Sequence, residues 1–596
     1  MQKDLNRTLL RTGIALCAGL LQFFHVTAQQ VPLRGKITNE KNEPLPGATA
    51  TARLSNKAVI ADEQGNFVLP GVDLQDSIVF SMVGYEPQTW PVPADGYISV
   101  ILQATGSGLN EVVVIGYGTR RKANLTGAVS QINNKEIRTT THSSLAQSLQ
   151  GKVPGLQIRQ NTGEPGDFST TINVRGFGNP LYVIDGVPQN DNGQSFQRLD
   201  ANDIESVSII KDASAAIYGL RAANGVVIVT TKKGGKGKPS FNYNGVYGIQ
   251  RPTDMPAMAN RAQWAILRNE AEINANGVPY FTPEQLQAHI DGPSTDWYGL
   301  TMKDASSQAQ HNISVRGGSD VASYFVSFGY VQEDGLLRSG DLNYKKYTFR
   351  SNVDVQLHKN WKAEVSLAGR YDVKNMPSAG FYNIFNGTRT ALPYAEPYAN
   401  GNPDYLALQQ YINPLSSSRS DISGYSEDKG KEFNAYATLT FNVPYIKGLV
   451  LKGRAAYINN VNLNKSLIKS YRLYTYDPAL PDPYVAHVQN NPSKISNRNF
   501  NSDAVTLQGH LLYNTRIRDH QLGATLVFEQ NTFFSRSATL GREYDFYTND
   551  QIDQAGLNNQ TTAGIEEQRA SQSLIGRFAY DFRNKYMLEY AFRYDG

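Results

Sequence analysis

The chain contains the run Glu111-Val112-Val113-Val114-Ile115-Gly116-Tyr117-Gly118-Thr119 and, further on, the run Ala222-Ala223-Asn224-Gly225-Val226-Val227-Ile228-Val229-Thr230-Thr231. Both runs are rich in β-branched residues, which favour strands. Between them, Leu181–Asp185 and Val207–Lys211 predict two more strands, and Leu145–Gln150 predicts a short helix. We therefore predict a small α+β domain over residues 119–235, which we call the central segment.

The first 28 residues have the pattern of a secretory signal peptide. A basic start is followed by the apolar stretch Thr12–Phe24 and by the cleavage motif Val26-Thr27-Ala28. The single cysteine, Cys17, lies inside this signal, and Leu16 before it is unsuitable for a lipoprotein signal. We expect a mature chain without lipid attachment and without disulfides.

Residues 31–104 predict a small β-sandwich, because short apolar runs alternate with turn residues. The predicted strands are Leu33–Thr38, Ala48–Leu54, Asn66–Leu69, Ser77–Val83 and Tyr97–Leu102. Residues 105–118 follow as a linker, since Ala104–Gly108 has a flexible composition. After it, Glu111–Ile115 is predicted as a strand without a sheet of its own, whose free backbone groups can pair with a partner's sheet edge. A strand built into a neighbouring domain is the alternative.

Residues 238–596 change to period-two alternation of apolar and polar side chains. Along one stretch Tyr347, Phe349 and Val353 alternate with Lys346, Arg350 and Asn352. We predict about eleven antiparallel strands, joined alternately by short turns and by long connections, which is typical of a transmembrane β-barrel. A soluble sandwich is the alternative, but it gives no reason for that alternation of connection lengths.

The number of strands indicates an incomplete barrel. Eleven is half of the about 22 strands of a plugged outer-membrane transporter. We expect the chain to stop partway through such a barrel, truncated at its C-terminus. The predicted fold class is thus mainly β: a small β-sandwich, an α+β domain and an incomplete transmembrane barrel.

Composition and motifs argue against catalysis and against nucleic-acid binding. The formal net charge is +4 over 596 residues, and no basic block stands out beyond Lys232–Lys238. The eight histidines are dispersed, and no zinc, nucleophile-elbow or phosphate-loop motif occurs. We predict no catalytic residue, no metal site and no cofactor, so the protein is not expected to be an enzyme.

A series of motifs carries a family resemblance. It runs through Glu111–Thr119, Leu125–Val129, Leu149–Leu156, Val174-Arg175-Gly176, Pro180–Pro188, Asp203–Val207 and Lys211–Gly219. In this order and spacing the chain resembles the TonB box and plug of the SusC/RagA family of TonB-dependent outer-membrane transporters. Residues 31–104 are similar to the carboxypeptidase regulatory-like domain that often precedes such a plug.

The resemblance implies TonB-dependent import of a nutrient, an oligosaccharide or a peptide, across the outer membrane. TonB, energised by ExbB and ExbD, would bind Glu111, Val112, Val113, Val114 and Ile115. A SusD-like surface lipoprotein would cap the outer face, and the N-terminal domain would be periplasmic. Two alternatives stay open: a siderophore or cobalamin receptor, and a surface ligand-binding protein that does not transport.

Two groups of residues are singled out for interactions. Arg175, Asp185, Lys211 and Asp212 are predicted to form ion pairs within the plug or between the plug and the barrel wall. Tyr382, Phe385, Tyr394 and Tyr398 are candidate substrate contacts, because they are aromatic residues on a long connection predicted to face outward. Packing within their own connection is the alternative for these four.

Overall fold

The computed structural model describes residues 30–40, 42–82, 85–103, 112–115, 118–121, 128–410, 412–583 and 585–596. The predicted signal peptide, the linker 104–108 and Glu111 lie outside these residues. The chain divides into two compact units, one of residues 1–112 with 121–123 and one of residues 113–120 with 124–596.

The N-terminal strands form two small sheets on one apolar core. The strands are β1 (Gln30–Asn39), β2 (Thr49–Ala52), β3 (Ala58–Ile60), β4 (Asn66–Asp73), β5 (Ser77–Ser81), β6 (Gln88–Pro91) and β7 (Tyr97–Leu102). Their order is β4-β1-β7 in one sheet and β3-β2-β5-β6 in the other. Phe67 and Phe80, one from each sheet, meet edge to face with ring centroids 5.4 Å apart. The two short strands β3 and β6 were not predicted.

The short strand that follows has a partner within the chain. Strands β8 (Val112–Ile115) and β9 (Gly118–Arg121) form a two-stranded sheet. The prediction of a strand without its own sheet is therefore wrong. An extended strand leaves its backbone groups unpaired, and the next strand of the chain supplies hydrogen-bond partners for one of its two sides.

The central segment is α+β, as predicted. Its strands are β10 (Val129–Asn133), β11 (Leu156–Arg159), β12 (Thr171–Val174), β13 (Leu181–Ile184), β14 (Val187–Pro188), β15 (Ile204–Ile210) and β16 (Val226–Thr231). Its helices are α1 (Asn134–Ile137), α2 (Leu145–Ser148) and α3 (Gln194–Arg198). The main sheet has the order β10-β15-β16-β13-β14.

A tight hairpin joins β13 to β14 in this sheet. Val187 and Pro188 pair with Ile184 and Val183 as an antiparallel strand. The turn is confined to Asp185 and Gly186, whose φ angles are 49° and 81°. Positive φ at both central residues is what Asp-Gly favours in two-residue hairpins.

The rest of the chain forms one large antiparallel sheet, which confirms the prediction of eleven strands. They are β17 (Gly237–Gln250), β18 (Ser306–Gly318), β19 (Ala322–Asp334), β20 (Asn343–His358), β21 (Trp361–Pro377), β22 (Gly424–Asn442), β23 (Leu449–Ile468), β26 (Lys494–Ile517), β27 (His520–Glu543), β28 (Thr561–Phe582) and β29 (Tyr586–Asp595). A separate hairpin of β24 (Tyr471–Tyr476) and β25 (Tyr484–Gln489) lies in one connection. The sheet is not closed, because β17 and β29 are its two edge strands.

The connections alternate in length as predicted, but they contain more structure. Residues 319–321, 359–360, 443–448, 518–519 and 583–585 are short links, whereas 251–305, 335–342, 378–423, 469–493 and 544–560 are the longer ones. The predicted loop regions contain α4 (Arg261–Asn274), α5 (Pro283–Asp291), α6 (Trp297–Thr301), α7 (Phe381–Thr390), α8 (Pro414–Ser417) and α9 (Ser420–Ser423). Among the residues that the structure describes, no helix is both long enough and apolar enough to cross a membrane.

The two faces of the large sheet differ in chemistry. Polar side chains such as Lys346, Arg350 and Gln508 are buried on the face that contacts the central segment, which we call the inner face. Apolar side chains such as Leu439 and Phe528 are exposed on the opposite face, the outer face. The alternation in the sequence therefore separates a polar inner face from an apolar outer face.

The apolar zone of the outer face runs obliquely across the strands. One cross-strand row begins with aromatic residues and ends with charged ones: Tyr330, Tyr347, Tyr371, Lys431, Val461, Asn501, Arg536 and Glu566. In the later strands the apolar residues lie nearer the short links, as in the row Leu451, Leu511 and Leu526. Because paired rows are perpendicular to the strands, this drift means that the strands are tilted relative to the apolar zone.

Candidate plug interface and coupling segment

Arg350 connects the inner face of the sheet to two carboxylates of the central segment. Its guanidinium lies 3.6 Å from an Asp203 carboxylate oxygen and 3.9 Å from one of Asp185. Arg350 and Asp203 are both buried. Burial raises the pKa of the Asp203 carboxyl and the charge of Asp200 raises it further, whereas the Arg350 guanidinium opposes both. A buried arginine between two carboxylates makes this contact sensitive to the loss of any one member.

Asp185 also holds the end of the central sheet together. Its carboxylate accepts hydrogen bonds from the Thr231 backbone N–H at 2.9 Å and from the Thr231 hydroxyl at 2.8 Å. On the large sheet, the Asn352 amide donates to the Thr231 hydroxyl at 3.0 Å and to the Lys232 carbonyl at 2.6 Å. The β13–β14 hairpin, the end of β16 and strand β20 thus share one polar cluster.

A second set of contacts reaches the helix side of the central segment. The Ser195 hydroxyl donates to the Glu432 carboxylate at 2.9 Å, and Arg370 lies 3.1 Å from the same carboxylate. The Lys346 ammonium donates to the Arg198 carbonyl at 3.0 Å. These direct hydrogen bonds and ion pairs give the interface a defined register and a polar chemistry.

Apolar packing completes the interface beside the polar contacts. Ile217 and Ile228 of the central segment belong to one buried cluster with Val527 and Ile575 of strands β27 and β28. At the hairpin turn, a side chain at Gly186 would stand 2.1 Å from a guanidinium nitrogen of Arg454. A side chain there would displace the Arg454 guanidinium, and the φ of 81° at this turn also favours glycine.

The other three predicted ion-pair residues lie within the central segment. The Arg175 guanidinium donates to the Lys211 carbonyl at 3.1 Å, and the Lys211 ammonium donates to the Ser130 hydroxyl at 2.6 Å and to the Pro154 carbonyl. The Asp212 carboxylate accepts from Ser214 and from the Ala128 backbone N–H.

The electrostatics of this group follow from its burial and its neighbours. Burial lowers the pKa of the Lys211 ammonium, and the charge of Arg175 lowers it further. Burial acts to raise the pKa of Asp212, but hydrogen bonds from Ser214 and Ala128 and the charge of Arg175 hold it below its ordinary value. Of the four predicted residues, the structure brings Asp185 to the sheet and groups Arg175, Lys211 and Asp212 elsewhere in the central segment.

The four aromatic residues proposed for substrate contact are not gathered in one site. Tyr382 is 77% exposed on α7, whereas Phe385 packs against Tyr298 with ring centroids 5.9 Å apart. Tyr398 forms a backbone bridge with Leu406. Of the four, Tyr394 lines a large cavity and packs 5.0 Å from Trp264.

Several interface residues were not singled out from the sequence. Arg350, Asn352, Lys346 and Glu432 all belong to the polar half of alternating strands. The sequence signal for them was the alternation of polar and apolar residues, because alternate residues of a strand lie on the same face. The alternation does not tell which of these residues contacts the central segment, because that contact depends on the register of the strands.

Within the described residues, no group of three or more His, Cys, Asp or Glu side chains is arranged to hold a metal ion.

Known protein families match two parts of the chain. The family model of the TonB-dependent Receptor Plug Domain matches residues 121–226, and that of the CarboxypepD_reg-like domain matches residues 33–114. The TonB-dependent receptor SusC of Bacteroides thetaiotaomicron is 28% identical over 98% of this chain and 58% of SusC. The TonB-dependent receptor P26 of Formosa agariphila is 33% identical over 65% of this chain and 39% of P26.

A solved structure shares the fold. The RagAB peptide importer in its open-open state aligns with a TM-score of 0.67 and 21% identity, over 81% of this chain and 56% of that chain. The chain spans about half the length of the curated relatives it matches, with coverage from 39% to 58% for the first four. The two domain matches, together with the relatives that align over nearly the whole chain, support a TonB-dependent receptor of the SusC/RagA family.

Proposed function

We propose that the whole protein is a TonB-dependent importer of the outer membrane, which takes up an oligosaccharide or a peptide without breaking its bonds. The supporting observation is the interface of Arg350 and Asn352 with Asp185, Asp203 and Thr231. It joins a plug to the polar inner face of a sheet whose outer face is apolar. These contacts fix the plug against the sheet, and we expect some of them to break when the plug shifts.

The slanted apolar zone supports a transmembrane barrel. Strands that cross a membrane in a barrel are tilted by about 35–45° and carry an apolar band on the lipid side. From Tyr371 on β21 to Leu526 on β27, the apolar residues of the outer face shift along the strands toward the short links. Tilted strands produce such a shift. An open sheet leaves unpaired edges that lipid does not tolerate. We propose that β17 and β29 gain partners in a closed barrel of about 22 strands.

The domain organisation follows from this proposal. Residues 1–28 are the signal peptide, 31–104 the periplasmic regulatory-like domain, and 105–118 the linker with the TonB box. Residues 119–235 are the plug, and residues 238–596 are barrel. The short links between strands would face the periplasm, and the long connections would face outward.

TonB would bind the segment Glu111–Ile115 by strand addition. Among the described residues, each strand of the two-stranded sheet of β8 and β9 has one side without a neighbouring strand. A strand of TonB can pair along that side through backbone hydrogen bonds. With ExbB and ExbD energising TonB, a pull on this segment would shift the plug and open a path through the barrel.

The proposed substrate class and the proposed outer partner are inferred from similarity to relatives. SusC aligns over 98% of this chain and the RagAB peptide importer over 81%, and a SusD-like lipoprotein partner belongs to the same proposal. The cobalamin transporter BtuB of Vibrio vulnificus and the siderophore receptor PirA of Acinetobacter baumannii match 18% and 14% of the chain. A cobalamin or siderophore substrate therefore has weaker support.

Deletion of Glu111–Ile115 in the whole protein tests the proposal. Uptake of the nutrient by cells should fall to the level of a strain that lacks the gene, while ligand binding to the purified protein should stay unchanged. The matched control deletes five linker residues, Ala104–Gly108, and should retain uptake. Unchanged uptake in the first variant would contradict TonB coupling and would favour a surface-binding protein.

A further inference from the structure

A small cavity lies between the plug and the inner face of the sheet, near the short links. It is lined by Asp185 and Gly186 of the hairpin turn, by the end of β16 and by strands β20 to β23 and β26. Lys452 in its lining is the fourth residue of β23, which begins directly after the short link 443–448. Its volume is about 240 Å³. Because a water molecule occupies about 30 Å³ in the liquid, the cavity has room for one small ion with several waters.

The three carboxylates that line this cavity are already engaged by other groups of the protein. Glu364 forms ion pairs with Lys233 and Lys362. Asp354 lies 2.9 Å from the same Lys362 ammonium. Asp185 accepts two hydrogen bonds at the end of β16 and faces the Arg350 guanidinium. The lining therefore contains no carboxylate that is left to neutralise a further cation.

Lys452 and Arg454 bring two further positive charges into the lining. They are two residues apart on β23, so their side chains leave the same face about 7 Å apart. Within the part of the chain that the structure describes, neither side chain forms an ion pair. Their cross-strand neighbours include no carboxylate: Thr440, His510, Thr438 and Gln508. Two like charges this close repel each other in a site that is partly removed from water.

Arg454 differs in this respect from other arginines of the inner face. Four of those have a guanidinium nitrogen within 3.6 Å of a carboxylate oxygen: Arg350, Arg370, Arg577 and Arg593. The Arg454 Nε instead donates to the Thr438 hydroxyl at 3.1 Å. Among the described residues, no acceptor is hydrogen-bonded to its two terminal nitrogens. The planar fork of an arginine matches two oxygens of an oxyanion, so these nitrogens suit such a ligand.

We propose that this cavity binds inorganic phosphate, with the Lys452 ammonium and the Arg454 guanidinium as its ligands. A phosphate dianion balances the two cations and accepts hydrogen bonds from both. The volume of the cavity lies below the about 300–1,000 Å³ of pockets for drug-sized molecules, which favours a small ion over an organic ligand.

A bound phosphate would join the plug to the sheet, because the turn at Gly186 bounds the cavity on one side and β23 bounds it on the other. A ligand that binds only the closed arrangement stabilises that arrangement by mass action. Phosphate would therefore hold the plug against local opening. The site goes beyond the import function, since it uses neither the segment Glu111–Ile115 nor the long connections.

Calorimetric titration of the purified whole protein in detergent with inorganic phosphate tests the site. We expect one saturable site in a chloride buffer of constant ionic strength, and no such site when sodium chloride is titrated instead. Lys452→Met and Arg454→Met should each weaken phosphate binding at least about tenfold, which corresponds to about 1.4 kcal/mol. Lys452→Arg keeps the charge and should retain most of the affinity. The matched control Lys374→Met removes an inner-face cation that is paired with Glu164 outside the cavity lining, and it should leave phosphate binding unchanged.

Hydrogen exchange locates the bound phosphate in the wild-type protein, so the test does not depend on the assembly of any variant. Saturating phosphate should slow the exchange of residues 181–188 and 226–231 and leave that of residues 261–291 unchanged. The absence of saturable phosphate binding would overturn the proposal, as would unchanged exchange of residues 181–188. Wild-type affinity in both Lys452→Met and Arg454→Met, or an equal loss in Lys374→Met, would overturn it as well. The variant lacking Glu111–Ile115 should bind phosphate normally, which separates this site from import.

Discussion

Arg350 shows how a single side chain links the plug to the sheet. It stands between the buried Asp203 and the turn residue Asp185. Removing one partner of a buried ion pair leaves an uncompensated charge, whereas removing both partners together costs much less. The contact is therefore specific, and its energetic importance depends on all members being present.

Arg350→Met should loosen the plug, because it strands the Asp203 carboxylate in a buried site. We expect a loss of about 3 kcal/mol in the stability of the plug against local opening. Hydrogen exchange of residues 181–231 in the purified whole protein measures it, as faster exchange. The double variant with Asp203→Asn should recover part of the protection, and exchange equal to wild type in Arg350→Met would show that the contact carries no stability.

At the level of secondary-structure elements, the long connections contain helices whose starts are marked in the sequence. No helix was predicted in the long connections, yet α4 and α5 begin with capping boxes in which Asn260 pairs with Gln263 and Thr282 with Gln285. These polar residues at three-residue spacing were the signal for helix starts. These helices were not predicted because the region was assigned from the period-two pattern of the strands, and the residues between strands were treated only as connections.

His289 gives the pair α4–α5 a pH dependence. Burial lowers its pKa and the charge of Arg261 lowers it further, from an ordinary value of 6.5. The Arg261 guanidinium donates to the His289 Nδ1 at 3.2 Å, a bond that requires the neutral ring. The unfolded helix pair thus binds more protons than the folded helix pair. The free energy of unfolding of the pair is therefore highest above pH 6.5 and decreases as the pH falls below that value.

We expect faster hydrogen exchange of residues 261–291 at pH 5 than at pH 7.5, after correction for the intrinsic exchange rate. His289→Phe keeps the ring packing against Phe281, which has a 4.4 Å centroid distance, and should remove most of this pH effect. The same pH effect in wild type and in His289→Phe would assign it to another group.

At the scale of the whole molecule, the large sheet separates a polar inner face from an apolar outer face. The extent of the apolar zone on the outer face determines which part of the sheet can lie in a membrane. Leu511 is an outer-face residue within the apolar zone of β26, and Asn499 lies on the same strand toward its other end. Both positions are odd-numbered on one strand, so their side chains share an alternation phase. They form a matched pair for testing the membrane boundary.

Leu511→Arg should impair insertion of the whole protein, because a cation on the lipid face near mid-membrane costs about 2–4 kcal/mol. Asn499→Arg should have little effect, since this position lies outside the apolar zone. The amount of heat-modifiable, protease-resistant protein in purified outer membranes measures both. Equal amounts for the two variants would contradict a membrane boundary between these positions.

The division of the chain into a small β-domain, a plug and an alternating sheet could be read locally, because strand propensity, turn residues and period-two polarity are properties of neighbouring residues. The strand count followed from the same periodicity. The pairing of Val112–Ile115 with Gly118–Arg121, the contact of Arg350 with Asp203, and the cavity between the plug and β23 could not be read this way. Each depends on register and on which edges remain unpaired, and these are settled only when distant segments pack against one another.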